Sequence, residues 1–234
     1  MKIQHLSLAL VAIAIVGCRG GDGNGYTPVP PSKLEPVSVK PGQEATLMPI
    51  AVGNQWTYNV ETIIATQKGK AQRKGELTFK ITKVDDTSNG KQATIDILSS
   101  GKVTERQIWL VNDKGIYQVS TGVAKPVTYS TPIPLILFPV DKNKTFKWKG
   151  SGGPYQRSID AKILENQEVD TDEKRYSAIG VETKGENKDG KVTQKTSGII
   201  WFVPGVGLVR YRESTLSSEN ATEQLLQLKS HSLK

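Results

Sequence analysis

Few residues in this chain are of the types that make or break covalent bonds, and their placement argues against a catalytic centre. The 234 residues include two histidines and one cysteine. His5 falls in an apolar leader, and His231 lies three residues from the end of the sequence. A Ser-His-Asp triad, a cysteine nucleophile or a conventional zinc site would each need such residues held in a cleft. Carboxylates remain. Asp85-Asp86 and Asp170-x-Asp172-Glu173 could supply the acid and base of glycoside hydrolysis, which act roughly 5–10 Å apart across a cleft. Both clusters fall in expected hairpin turns, where aspartate is favoured because its side chain bonds the local backbone. The sequence therefore predicts no catalytic residue, no metal ligand and no enzyme.

The residue with an assignable modification is Cys18. Lys2 supplies a positive n-region and Leu6 to Val16 an apolar h-region. Ile15-Val16-Gly17-Cys18 then resembles the bacterial lipobox, whose cysteine receives a diacylglyceryl group and becomes the mature N-terminus. The apolar run is shorter than the roughly 20 residues that span a bilayer. An ordinary secretory site needs no cysteine, and this is the single one in the chain. The expectation is a signal peptide at 1–17, a covalent acyl anchor on Cys18 as the membrane partner, and no other cofactor. Arg19 stands where aspartate would favour inner-membrane retention, which points to an outer-membrane lipoprotein facing the periplasm.

Residues 18–46 read as a tether. Gly20, Gly21, Gly23 and Gly25 give it flexibility, and Pro28, Pro30, Pro31, Pro36 and Pro41 stiffen it. Neither composition buries apolar surface, so disorder is expected, with a reach on the order of 50–80 Å. The net charge of +8 comes from lysines scattered along the chain. A nucleic-acid surface would concentrate them among aromatic platforms, so no nucleic-acid partner is expected. Solvated strand faces protected at their edges by lysine account for the charge.

The remaining residues, 47–234, read as one β domain built from two related halves, 47–120 and 137–212. Leu47-Met48-Pro49 leads through Gly53 to Trp56-Thr57-Tyr58, and Leu137-Phe138-Pro139 leads to Phe146-Lys147-Trp148 at the same spacing. Ile108-Trp109-Leu110-Val111 with Gly115 likewise returns as Ile200-Trp201-Phe202-Val203 with Gly207. Between these landmarks, runs such as Trp56-Thr57-Tyr58-Asn59-Val60 alternate apolar with polar, the two-residue period of a half-buried strand. Turn signals such as Ser88-Asn89-Gly90 and Asn112-Asp113-Lys114-Gly115 separate them. The segment 121–136 carries Pro126, Pro132 and Pro134, which argue against regular pairing, and is expected to cross between the halves. Residues 220–230 are expected to form a strand against 207–217.

Two motifs carry a family resemblance. Pro49-Ile50-Ala51-Val52-Gly53-Asn54-Gln55-Trp56-Thr57-Tyr58 resembles the P-L-x-V-G-N-x-W-x-Y opening of bacterial secreted proteins and lipoproteins of unknown function. Trp201-Phe202-Val203-Pro204-Gly205-Val206-Gly207-Leu208-Val209-Arg210 is similar to their closing W-[FY]-A-P-G-V-G-L-V-K segment. The resemblance implies a fold like the lipoprotein carriers LolA and LolB: all-β, a strongly curved antiparallel sheet forming an unclosed barrel of about eleven strands. Those carriers cover their concavity with helices; here the apolar segment 121–136 is the visible candidate for a lid.

The candidate cleft-lining or core residues are Trp56, Tyr58, Trp109, Leu135, Leu137, Trp148 and Trp201. Large aromatics on one strand face first of all pack a core, each burying roughly 150–250 Å². Two readings follow. In one, the concave face binds a lipid, an acyl chain or an apolar polypeptide. In the other, the core is filled and the chain is a structural or interaction lipoprotein of the envelope.

Overall fold

The structure, a computed structural model, describes residues 34–40, 42–190 and 192–234. The leader 1–17, Cys18 and the tether through residue 33 lie outside the described residues. Before the first strand, Val37 and Val39 pack on the core and a single 3-10 turn forms at Glu44–Leu47.

Twelve antiparallel strands follow in simple succession: β1 (Gln55–Thr66), β2 (Gly69–Thr87), β3 (Gly90–Ser99), β4 (Lys102–Asn112), β5 (Gly115–Thr121) and β6 (Val127–Leu137). The second six are β7 (Thr145–Gly152), β8 (Tyr155–Asp170), β9 (Arg175–Asp189), β10 (Val192–Val203), β11 (Gly207–Leu216) and β12 (Asn220–Ser232). The all-β class agrees with the alternation in the sequence. The unclosed barrel of about eleven strands does not: the sheet closes, with β1 hydrogen-bonded to both β2 and β12. The register along the closing pair runs from Gln55 opposite Ser232 to Thr66 opposite Asn220. Closure satisfies the backbone groups that an open edge would leave exposed.

The additional strand is β6, in the proline-bearing segment read as a crossover. Its prolines are accommodated where the ladder is irregular. Pro134 sits opposite Tyr117 beside a register shift, and a second shift lies between Gln118 and Ser120. On its other side β6 meets β7 through one pair, Tyr129 opposite Gly152. Pro132 and Pro134 have no N–H to offer a neighbour, so a strand carrying them suits a poorly paired border.

The two similar opening stretches occupy matching places at the starts of β1 and β7. Gly53 has φ of 94° and Asn143 φ of 63°, the left-handed region that glycine and asparagine enter most readily. The Gly53 N–H donates to the Ile81 carbonyl at 2.8 Å, and the Asn143 N–H donates to the Ile163 carbonyl at 3.0 Å. In return the Ile81 and Ile163 N–H groups donate to the Asn54 and Lys144 carbonyls, each at 2.9 Å.

Inward-facing residues fill the end of the barrel where β1 begins. Trp56, Ile81, Ile95, Ile116, Ile136, Ile163, Phe202 and Leu228 are buried there, capped by Leu47 and Met48. The outer face carries charged pairs, such as Lys147–Asp160 at 3.0 Å between β7 and β8 and Lys83–Asp85 at 2.7 Å near the end of β2. A transmembrane barrel would instead carry an outward apolar band. Among the described residues no helix is long and apolar enough to cross a membrane, which says nothing of strands.

Candidate functional site

Above the packed end, the barrel encloses a cavity of about 220 Å³ bounded by residues from all strands except β1 and β7. Its lower wall is apolar. Leu77 and Phe79 come from β2, Ile97 from β3, Trp109 from β4, and Ile133 with Leu135 from β6. Ile159, Ile200, Leu208 and Leu226 complete it from the other half. They share this face because each strand places alternate side chains inward and the paired register keeps them level: Ile200 opposite Tyr211, and Tyr211 opposite Leu226.

One row higher the same alternation brings polar side chains inside. Gly198 stands opposite Glu213, and Glu213 opposite Gln224. Arg157 of β8 reaches across the lumen, its Nη2 donating to Glu213 Oε1 at 3.0 Å. The two side chains retain 29% and 21% exposure, so the pair is neither dry nor fully solvated. The Tyr211 hydroxyl donates to Glu213 Oε2 at 2.6 Å. Burial, reinforced by the Glu213 charge, pushes that phenol well above its ordinary range, so it stays a donor.

A second network lies on the β4 side. Trp109 Nε1 donates to Gln107 Oε1 at 2.7 Å, and Gln107 Nε2 donates to Glu105 Oε1 at 2.7 Å. Thr121 Oγ1 donates to the same carboxylate at 2.5 Å. Burial raises the Tyr129 phenol; Arg157 opposes the shift, while Glu105 and Glu213 add to it. That hydroxyl, at the weak β6–β7 border, therefore shares the field of the polar row. The lumen is amphipathic: apolar below, hydrogen-bonding above.

A larger and more open groove of about 690 Å³ lies along β8–β11, lined by Asp160, Lys184, Glu186 and Lys195 among others. Its charged side chains form ordinary solvated strand faces. The smaller, more enclosed cavity differs from it in bringing converging polar groups above an apolar wall.

Of the seven residues singled out in the sequence, Trp109 and Leu135 line this cavity. Trp56 and Tyr58 are each 1% exposed and belong to the packing. Tyr58 meets Phe79 edge-on at 4.9 Å between ring centroids. Leu137 packs against the core at the end of β6. Trp148 stands edge-on to Tyr129 at 6.5 Å. Trp201 lies on the opposite strand face from Ile200, with the Arg210 guanidinium 5.6 Å from its ring.

The carboxylate clusters serve the fold. Asp85 pairs with Lys83 at 2.7 Å. The Asp172 N–H donates to the Leu228 carbonyl at 3.1 Å, and its carboxylate accepts from Asn59 and Gln227. Glu173 accepts from the Tyr176 hydroxyl at 3.0 Å and meets His231 Nδ1 at 2.8 Å. Together they pin the β8–β9 tip to the β1–β12 pair. No group of three or more His, Cys, Asp or Glu suited to a metal occurs among the described residues.

Arg157, Tyr211 and Glu213 were not singled out from the sequence, though a signal exists. Arg157 stands in phase with Ile159, Ala161 and Ile163, and Glu213 in phase with Tyr211. A charge on the apolar phase of a strand marks an inward polar residue.

No protein-family model matches the chain, and no curated protein matches it. Among solved structures, it is similar to a candidate lipoprotein from Parabacteroides distasonis ATCC 8503, at 13% identity and TM-score 0.50, covering 80% of this chain and 98% of that one. It is also similar to a candidate exported protein with a YmcC-like fold from Bacteroides fragilis NCTC 9343, at 14% identity and TM-score 0.48, covering 79% and 98%. The first is a likeness of fold: a β architecture shared over most of both chains.

Proposed function

We propose that this chain is a lipid-anchored protein of the bacterial cell envelope that holds a small apolar or amphipathic molecule inside its barrel without transforming it. The observation that carries the reading is the cavity of about 220 Å³ with its apolar wall and polar upper row. Cys18 in its lipobox-like context supports the anchor, and Arg19 supports outer-membrane placement. The Parabacteroides protein of the same fold is itself a candidate lipoprotein, which agrees with the compartment. Nucleic acid has no part in this reading, because the lysines lie dispersed over the strands.

The fluorescent probe N-phenyl-1-naphthylamine tests it. Saturable uptake, displaced by octan-1-ol, is expected for the full chain, and Ile200→Trp, which fills the cavity, abolishes it. Wild-type protein that takes up no probe would sink the proposal. The packed end of the barrel around Trp56 and Phe202 favours a second reading, an envelope protein that works through its surface alone; absence of uptake would select it. For the anchor, Cys18→Ala releases the protein from membranes, and persistent membrane association would refute lipidation.

A further inference from the structure

The charged side chains that line the cavity are Glu105, Arg157 and Glu213. Arg157 and Glu213 satisfy each other at 3.0 Å. Glu105 belongs to no ion pair among the described residues; its bonds are two hydrogen bonds from neutral groups. Its sequence neighbour Arg106 lies on the opposite strand face and pairs with Asp96. Arg73 shares the phase of Leu77 on β2, but it is exposed and stands outside the cavity lining. The lumen therefore holds one carboxylate without a counter-charge.

That carboxylate is held in place. Gln107 Nε2 at 2.7 Å and Thr121 Oγ1 at 2.5 Å both donate to Oε1, while Oε2 accepts nothing among the described residues. Four buried side-chain polar atoms among the described residues lack a partner, and Glu105 Oε2 is not one of them, so it stays open to the space it faces. That space is the lumen. Glu105 stands opposite Ile97 of the apolar wall, and directly paired residues point to the same side of a sheet. Burial raises the Tyr129 and Tyr211 phenols, and the Glu105 charge adds to both shifts, so its field spans the polar row.

We infer that the lumen takes a single-chain amphiphile whose head is a primary ammonium, seated on Glu105. The inference rests on the lumen-binding reading above and adds the class of ligand. A tail that fills the lumen displaces water from around Oε2, and a carboxylate stripped of water without a counter-charge is costly. An ammonium head restores the balance and offers three hydrogens. Oε2 accepts one. The Gln118 side chain, opposite Trp109 and lining the same cavity, makes no hydrogen bond among the described residues and can turn its oxygen toward a second. A hydroxyl head donates one bond but leaves the charge uncompensated. A carboxylate head meets two carboxylates, and the guanidinium that could receive it is engaged with Glu213. Volume limits the tail: taking about 30 Å³ for a water- or methylene-sized group, a cavity of about 220 Å³ holds one chain of roughly seven or eight carbons.

Calorimetric titration of the full chain at pH 7 with octylammonium, octan-1-ol and octanoate tests this. Octylammonium binds at least about tenfold more tightly than octanol, and octanoate binds most weakly. The net charge of +8 favours the opposite order for loose association with the surface, so a preference for the cation reports the lumen. Octanol or octanoate binding as tightly as octylammonium overturns the head-group assignment and leaves the lumen reading standing. If none of the three binds, the lumen reading falls and takes this inference with it. Glu105→Gln gives a second measurement. It keeps the size of the side chain, so octanol affinity holds while octylammonium affinity falls to the level of octanol. Asp160→Asn, at an exposed carboxylate of the outer face, changes neither. Octylammonium affinity that is unchanged in Glu105→Gln, or that falls equally in Asp160→Asn, removes Glu105 from the head-group site and overturns the assignment.

Discussion

The Trp56 indole of β1 donates a 2.6 Å hydrogen bond to the Val206 carbonyl in the β10–β11 turn, 150 residues further along the chain. Two residues on, the Tyr58 hydroxyl donates to the Leu208 carbonyl at 2.8 Å. The opening of β1 thus reaches past β12 to hold β11. A backbone contact of the same region, from the Gly205 N–H to the Thr46 carbonyl at 2.9 Å, adds to the tie. One residue beyond β6, the Phe138 N–H donates to the Lys114 carbonyl at 2.9 Å in the β4–β5 turn, which only extends the β5–β6 ladder.

Trp56→Phe keeps an aromatic side chain and removes the donor, leaving a part-buried carbonyl without it. A loss of about 2 kcal/mol is expected in urea unfolding, read as a lower midpoint at constant slope. Phe146 occupies the matching place in β7 and has no donor, so Phe146→Leu reports packing alone and serves as the comparison.

Alkaline pH should destabilise the fold through its buried phenols. Burial raises Tyr58 well above its ordinary value of 10.0, and burial with Glu213 raises Tyr211 likewise. The folded state therefore holds these protons after the unfolded chain has released them. The contribution is fully present below pH about 10 and is lost as pH rises toward the folded values. Each phenol adds a slope of about 1.4 kcal/mol per pH unit in that window. Tyr58→Phe shows a correspondingly shallower alkaline decline in stability; an unchanged slope would contradict the assignment.

Much of this barrel is legible in local patterns, because alternation and turn chemistry act over a few residues. Asn89-Gly90 and Asn112 to Gly115 mark hairpins that the structure contains, and Leu226-Gln227-Leu228 belongs to β12. The rest depends on residues far apart in sequence. Nothing local tells Gln55 that its neighbour is Ser232, so closure is invisible without the assembled sheet. Pro132 and Pro134 hide β6, since proline normally marks where pairing stops. The cavity wall is hidden for a related reason: Trp56 and Trp109 look alike in their strands, and only register separates packing from lining.

Hydrogen exchange should find the β6–β7 border first. Apart from Tyr129 opposite Gly152, these two strands present no ladder to each other. Their border-facing amides are expected to exchange faster than those shared by β1 and β12. Equal protection at both places would show that the border is held by something other than backbone pairing.

Gly185→Ala should be severe. A Cβ there would fall 2.0 Å from the Ser158 carbonyl oxygen, a backbone atom that cannot swing aside. Displacing β8 from β9 costs about 2–3 kcal/mol or more. Thermal unfolding measures it, with Gly75→Ala as a control because nothing lies within 4 Å of its Cβ position.

The two junctions between the six-strand halves, β12 to β1 and β6 to β7, lie diametrically opposite one another in the ring. One is laced from Gln55 to Thr66, and the other has a single backbone pair, Tyr129 opposite Gly152, with the Ser151 N–H donating to Ser130 Oγ at 2.9 Å beside it. Mechanically this makes the barrel a clamshell. The β12–β1 side acts as the hinge, and the β6–β7 side is the lip that parts at least cost, beside Tyr129 and the polar row. Under the lumen-binding proposal, a guest too broad for the barrel mouth would enter laterally, along a line that breaks one backbone pairing while the other eleven borders stay intact.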